Sequence, residues 1–137
     1  MHADGLFLHG PLREGGSAHR WLQRTHPEGL CRAWVPGRLF HLAGVNLPAL
    51  VPGDVPGSLP PGPGWVTGDF VGYGDEADLS QALADLDALA TEAGGEARLL
   101  EGGATYTAWV WAFPVEQLPR LEKEALEVPG GDWAAWL

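Results

Sequence analysis

Cysteine and basic residues are scarce in this chain, and both shortages exclude classes of protein. Cys31 is the only cysteine among 137 residues, so no internal disulfide can form, and we expect a cytoplasmic setting. Lys123 is the only lysine, and the formal net charge is -10 at pH 7. A surface of that sign repels nucleic-acid backbones and anionic membranes, so we expect neither as a partner.

Long apolar runs are also missing. No stretch approaches the roughly 20 apolar residues that a membrane-spanning helix needs. The first residues, Met1–Asp4, lack the basic-then-apolar order of a secretion signal. The hydrophobic fraction of 45% still suffices for a globular core, and the length predicts a single domain over residues 1–137. The apolar run around Cys31 predicts a buried, inert thiol.

Alternating apolar residues bounded by turn residues predict about six strands. The strands are expected at Leu6–Leu8, Leu30–Val35, Arg38–Ala43, Trp65–Tyr73, Arg98–Glu101 and Thr105–Phe113. Pro36-Gly37 separates the second from the third, which predicts a two-residue hairpin turn. In the fourth strand, alternation places Val66 and Phe70 toward the core and favours an outward Asp69. The segment Pro52–Gly64 is mostly glycine and proline, which predicts a semi-rigid surface loop.

One long helix is predicted over Asp75–Glu92, with an acidic first turn and a Gly-Gly stop. Its inward stripe is Leu79, Leu83, Leu86 and Ala90. Shorter helices are predicted at Ala18–Gln23, with Trp21 and Leu22 inward, and at Gln117–Glu127, and the aromatic tail beyond them should dock on the body. Strands at this spacing predict a mixed α/β fold, a small β-barrel with one or two flanking helices.

The stretch from Leu6 to Arg13 is the candidate binding segment. A strand runs into Gly10-Pro11, and the backbone N–H groups of such a turn suit the capture of a carboxylate or carbonyl oxygen. Pro11 has no N–H to donate. Arg13 could counter an anionic ligand or form an ion pair. The candidate binding residues are His9, Gly10, Pro11, Leu12 and Arg13.

The remaining histidines show no spacing that indicates a metal site. They are His2, His19, His26 and His41. Metal ligands in proteins recur at short, regular intervals, which these positions do not have. We therefore expect no metal and no cofactor.

Seven short motifs occur in an order that covers nearly the whole chain. They are His9-Gly10-Pro11-Leu12-Arg13, Ala33 with Gly37-Arg38-Leu39-Phe40, Leu47-Pro48-Ala49-Leu50-Val51, Val66-Thr67-Gly68-Asp69, Leu86-Asp87, Ala108-Trp109-Val110-Trp111 and Gly130-Gly131-Asp132-Trp133. In this order they resemble the motifs of the γ-glutamylcyclotransferase-like family, including its AIG2-like and γ-glutamylamine cyclotransferase branches. That family begins with a strand and a Tyr-Gly-Thr-Leu-Arg loop.

The resemblance implies a barrel with a small-molecule pocket at the end of the first strand, where the loop holds the glutamyl part of a substrate. Enzymes of the family form 5-oxoproline, because the α-amine of the substrate attacks its own γ-carbonyl. A glutamate removes the proton of that amine. The family has this glutamate three residues after the aspartate that Asp87 matches, and this chain has Ala90 there.

Glu92 is the nearest glutamate, but two helical steps turn it roughly 200° away from Ala90. A solvated Glu92 is favoured, whereas an early helix end would rotate it inward. We therefore predict a small γ-glutamyl or amino-acid-like ligand and reduced, altered or no cyclotransferase activity, as in a pseudoenzyme. Two alternatives stay open: an active cyclotransferase with Glu92 or His9 as a relocated base, and a protein-interaction module.

Overall fold

The structure is a computed structural model that describes most of the chain. The described residues are 4–11, 13–16, 19–25, 27–44, 47–60, 62–90, 96–101 and 107–136, with the backbone alone described for 87–90 and 96–101. None of the helices in these ranges is long and apolar enough to span a membrane.

Seven strands and four α-helices make up the described part of the fold. The strands are β1 (Gly5–Leu8), β2 (Gly29–Leu42), β3 (Leu47–Pro52), β4 (Trp65–Gly72), β5 (Glu96–Glu101), β6 (Thr107–Ala112) and β7 (Leu126–Glu127). The helices are α1 (His19–Gln23), α2 (Glu76–Ala90), α3 (Leu118–Glu124) and α4 (Trp133–Trp136). The predicted helix at Gln117–Glu127 thus ends early, and its last residues form β7.

The strands lie in the order β3-β2-β4-β1-β6-β5, with β7 beside β2. All pairs are antiparallel except β1 with β6. Directly after β6, the N–H of Phe113 donates to the carbonyl of Leu50 in β3 at 2.7 Å. This bond joins two distant members of the order, so the sheet is nearly closed into a barrel, as predicted.

The predicted hairpin at Pro36-Gly37 is wrong, because β2 is one continuous strand of 14 residues. It pairs with β4 from Gly29 to Pro36 and with β3 from Gly37 to Leu42. At the change of partner the backbones approach closely: a Cβ added to Gly37 would lie 2.5 Å from the Val51 carbonyl oxygen. Proline followed by glycine marks a bend between two partner strands here, which a sequence pattern does not separate from a turn.

Two apolar clusters fill the inside of the barrel and its outer face under α2. The inner cluster includes Phe7, Val35, Leu39, Leu50, Val66, Val110 and Trp133. The outer cluster joins Leu6, Leu8 and Trp111 to Leu79, Ala82 and Leu86 of α2. Leu79 and Leu86 confirm the predicted inward stripe, and Leu83 packs against the same cluster while partly buried. Asp75 accepts a hydrogen bond from the Ala77 N–H at 2.7 Å, which satisfies one free donor of the first turn.

Two side chains lie on the surface against expectation. Trp21 of α1 is 38% exposed, and the guanidinium carbon of Arg24 lies 4.5 Å from its ring centroid, so the ring lies under cationic side chains rather than in the core. Cys31 is exposed as well. It lies in the half of β2 that pairs with β4 alone among the described strands, because β3 pairs only from Gly37 onward.

Candidate functional site

The candidate loop begins where β1 ends. The Arg13 N–H donates to the Gly10 carbonyl at 3.0 Å, which closes a β-turn with Pro11 at its second position. Gly10 abuts the ring of Pro48 in β3, since a Cβ added there would lie 2.7 Å from the Pro48 Cγ. The Gly16 N–H donates in turn to the Arg13 carbonyl at 2.8 Å. The loop is therefore fixed from inside by backbone hydrogen bonds and bounded by β3. Leu12 lies outside the described residues.

His9 makes one hydrogen bond and presents an unused nitrogen. Its Nε2 lies 3.0 Å from the Trp111 carbonyl oxygen, which can only accept, so Nε2 carries the proton and Nδ1 carries a lone pair. Nδ1 is shielded from solvent and has no hydrogen-bond partner in the described part of the chain. Burial lowers the pKa of His9 to about 4, against the opposing effect of the Trp111 bond, and the Arg13 charge lowers it further. His9 is neutral at pH 7.

Arg13 is buried, at 5% exposure, between two carboxylates. Its Nη1 lies 2.9 Å from Asp132 Oδ1, and its Nε lies 3.5 Å from Asp69 Oδ1. Asp69 Oδ2 also accepts the Glu14 N–H at 2.8 Å. Of the two partners considered for Arg13, the structure contains the ion pair, formed in the interior rather than on the surface.

Strand alternation favours an outward Asp69, but in the structure this side chain does not point to solvent. It is 6% exposed, because the loop after β1 covers that face of β4. Alternation assigns a residue to a face of the sheet, and whether that face is covered depends on a loop far away in the sequence. Asp69 and Asp132 are thus the two charged side chains that hold Arg13, and neither is among the candidate site residues predicted from the sequence.

The aromatic tail docks on the body, as predicted, and the structure places it beside the same loop. The Trp133 Nε1–H donates to His41 Nδ1 at 3.1 Å in a buried contact, and the Trp136 ring centroid lies 5.0 Å from that of His41. His41 is the strand partner of Pro48, which touches Gly10. The available signals were the Gly-Asp-Trp motif and the aromatic content of the tail, and neither indicates a partner.

The family's glutamate position falls at the end of α2. Ala90 is the last residue of that helix and follows the buried Leu86 by four residues, about 40° further around the axis. The side chains of Asp87 and Ala90, and all of Glu92, lie outside the described part of the structure. Within the described residues, no group of three His, Cys, Asp or Glu side chains is placed to hold a metal ion.

Comparison with known proteins agrees with this fold. An uncharacterized protein from Pyrococcus horikoshii has the same fold, with a TM-score of 0.59 and 18% identity over 95% of this chain and 89% of the other. An AIG2-like protein from Mus musculus matches with a TM-score of 0.52 and 20% identity over 82% of this chain and 78% of the other. No curated protein matches by sequence. The family model described as gamma-glutamyl cyclotransferase, AIG2-like, matches residues 6–135. The chain belongs to that family.

Proposed function

We propose that the protein binds a small γ-glutamyl or amino-acid-like ligand beside the His9–Arg13 loop and has reduced, altered or no cyclotransferase activity. The observation that carries this proposal is Ala90 at the position that matches the family's glutamate. Formation of 5-oxoproline needs a free α-amine, so a base must first take a proton from the ammonium. A methyl group cannot do this.

His9 is a poor replacement for the missing base. With its pKa lowered to about 4, the imidazole holds a proton weakly and is badly matched to the deprotonation of an ammonium near pH 7. Its neutral Nδ1 lone pair suits a different role, which is to accept a hydrogen bond from a ligand N–H. His9 is therefore a binding group in this proposal, and the ligand contributes an ammonium or amide donor.

The loop also has few donors to offer an anionic group. Pro11 has no N–H, and the N–H groups of Arg13 and Glu14 already donate to Gly10 and Asp69. The charge of the Arg13 guanidinium is matched by two carboxylates, and its Nε is a buried donor that makes no hydrogen bond to the described residues. A γ-glutamyl carboxylate would thus meet a weaker set of donors than an open loop provides, which supports altered or reduced activity.

The test measures the release of 5-oxoproline from γ-glutamyl amines and γ-glutamyl amino acids. A second measurement uses calorimetry to determine the affinity of the protein for 5-oxoproline. We expect the wild type to bind and to turn over slowly or not at all. Ala90→Glu restores a carboxylate and should raise the rate at least about 100-fold, the usual contribution of a general base. Glu116→Gln, an exposed position after β6, is the matched control and should change nothing.

The alternative activity predicts a different pattern. If the wild type turns over at rates typical of enzymes and Glu92→Gln abolishes that turnover, Glu92 is a relocated base and our proposal is wrong. A fall in kcat in His9→Asn, with the affinity for 5-oxoproline retained and Glu92→Gln unaffected, would assign the base to His9 and contradict our proposal equally. A folded Ala90→Glu variant without any gain in rate would contradict the lost-base explanation.

A further inference from the structure

The segment Asp132–Trp136, called the clasp below, bonds to the candidate loop from the far end of the sequence. Asp132 Oδ1 accepts the Arg13 Nη1–H at 2.9 Å across 119 positions of chain. The same oxygen lies 3.2 Å from the Ala135 N–H and so caps α4. One carboxylate therefore fixes the loop and the clasp to each other.

A second contact of the clasp reaches the opposite side of the loop. Trp133 donates its indole N–H to His41, and His41 pairs with Pro48 across β2 and β3. Pro48 in turn touches Gly10. The loop thus has Asp132 on its Arg13 side and, through Pro48, Trp133 on its Gly10 side.

The backbone just before the clasp is held tightly against β4. Gly131 has a φ of +68°, and a Cβ added there would overlap the Trp65 carbonyl oxygen and lie 3.1 Å from the Val66 Cα. A residue with a side chain would have to shift this segment. The position of Asp132 is therefore set by backbone packing, which makes its carboxylate a fixed anchor for Arg13.

Arg13 depends on that anchor. Asp132 is its closer partner, at 2.9 Å against 3.5 Å for Asp69. Asp69 also accepts the Glu14 N–H, so its charge is shared between Arg13 and the loop backbone. Without the Asp132 charge, a buried guanidinium keeps only the longer contact, and an under-compensated buried charge favours movement of the residue that carries it.

We infer that the clasp positions the His9–Arg13 loop for ligand binding, with Asp132 as a positioning residue that acts through Arg13. Asp132 need not touch the ligand. The consequence for affinity rests on the proposed function, whereas the consequence for loop order does not. Opening of the clasp and loosening of the loop are one event.

The first test uses the unaltered protein and follows amide hydrogen exchange by NMR across low denaturant concentrations. The informative amides are Glu14, which donates to Asp69, and Ala135 and Trp136, which donate to Asp132. We expect the same opening free energy and denaturant dependence for all three, because one opening exposes them. Much faster exchange at Ala135 and Trp136 than at Glu14 would overturn the inference, since the loop would then stay closed while the clasp opens.

The second test compares Asp132→Asn with Glu127→Gln. Asparagine caps a helix as well as aspartate, so Asp132→Asn removes the charge and retains the cap. Glu127→Gln breaks the Arg38–Glu127 ion pair only five positions earlier, which does not touch the loop. We expect exchange of the 9–16 segment to rise at least about 10-fold in Asp132→Asn and less than about 2-fold in the control.

Binding of 5-oxoproline separates this inference from the proposed function. We expect Asp132→Asn to weaken its affinity about 10-fold and Glu127→Gln to leave it unchanged. If the wild type does not bind 5-oxoproline, the proposed function fails while the exchange data still judge the clasp. Loop exchange that is unchanged in Asp132→Asn, or raised equally throughout the barrel, would overturn the positioning role. If Asp132→Asn does not fold, the wild-type exchange pattern decides.

Discussion

Arg13 and Arg38 each form ion pairs with two carboxylates. The two clusters differ in solvent exposure far more than in the number of bonds. Arg13 lies between Asp69 and Asp132 with a side chain that is 6% exposed. Arg38 makes a bidentate pair with Glu127, at 2.9 and 2.7 Å, and its side chain is 38% exposed. By bond lengths alone the surface pair is the better one. Exposed pairs nevertheless contribute little to stability, whereas the loss of one partner from a buried pair is severe.

The clusters also differ in what they join. Arg38 and Glu127 belong to β2 and β7, whose backbones already pair at Phe40 and His41. The ion pair therefore duplicates a connection that hydrogen bonds make. Arg13 joins the loop after β1 to β4 and to the clasp, and none of the described residues between Gly10 and Gly16 pairs in a strand. The buried cluster therefore fixes the position of the loop, whereas the exposed cluster only strengthens a connection that backbone hydrogen bonds already make.

The largest effect on stability is expected from Asp69→Ala. It leaves Arg13 with one partner and removes the acceptor of the Glu14 N–H, so the free energy of unfolding should fall by about 3–5 kcal/mol. Urea unfolding measures this. Glu122→Ala, which removes the 3.6 Å contact to Arg38, should stay within about 0.5 kcal/mol. Equal losses in both variants would break the comparison.

His9 adds a pH dependence to the buried side of the comparison. Its pKa is lowered from 6.5 to about 4, so between these values the unfolded chain binds a proton that the folded protein rejects. Stability should therefore fall as the pH drops through this window, by about 3 kcal/mol from this group. His9→Asn should remove that part of the slope in unfolding measurements from pH 7 to 4. An unchanged slope would show that the pKa of His9 is not lowered in the folded protein.

A smaller loss than either of these is expected from Glu127→Gln, below about 1 kcal/mol because the pair is exposed. The Arg38 hydrogen bonds lower the pKa of Glu127, so its contribution is present above the carboxyl's ordinary pKa and is lost as the pH falls through the lowered value. High salt should weaken it further by screening. A melting temperature that falls more than in Asp69→Ala would reverse the comparison.

Local patterns in the sequence were enough for most elements of the fold. The stripe of α2 up to Leu86, the strand at Leu6–Leu8 and the docking of the aromatic tail all follow from periodicity and composition. The bend at Pro36-Gly37 was misread as a turn, because the same two residues suit both. Local patterns do not identify a protein family. The seven motifs did so, because they occur in the order that the family has.

The site itself was less accessible to sequence reasoning. Arg13 was identified, but its partner Asp132 is 119 positions away, and no short-range pattern links them. The unused Nδ1 of His9 depends on a carbonyl of Trp111, which a side-chain motif cannot report. Contacts between distant residues need the folded chain before they can be recognised.

The sequence separation of Arg13 and Asp132 also bears on how fast the loop acquires its final arrangement. We expect a contact that closes so long a stretch of chain to form after the strands between its ends have paired. On this expectation the contact is absent from the folding transition state, and its loss should accelerate unfolding while leaving the refolding rate nearly unchanged. The loop is then the part of the protein that reaches its native arrangement late in folding. The lifetime of the native protein depends on the bond between Arg13 and Asp132, because this bond slows unfolding.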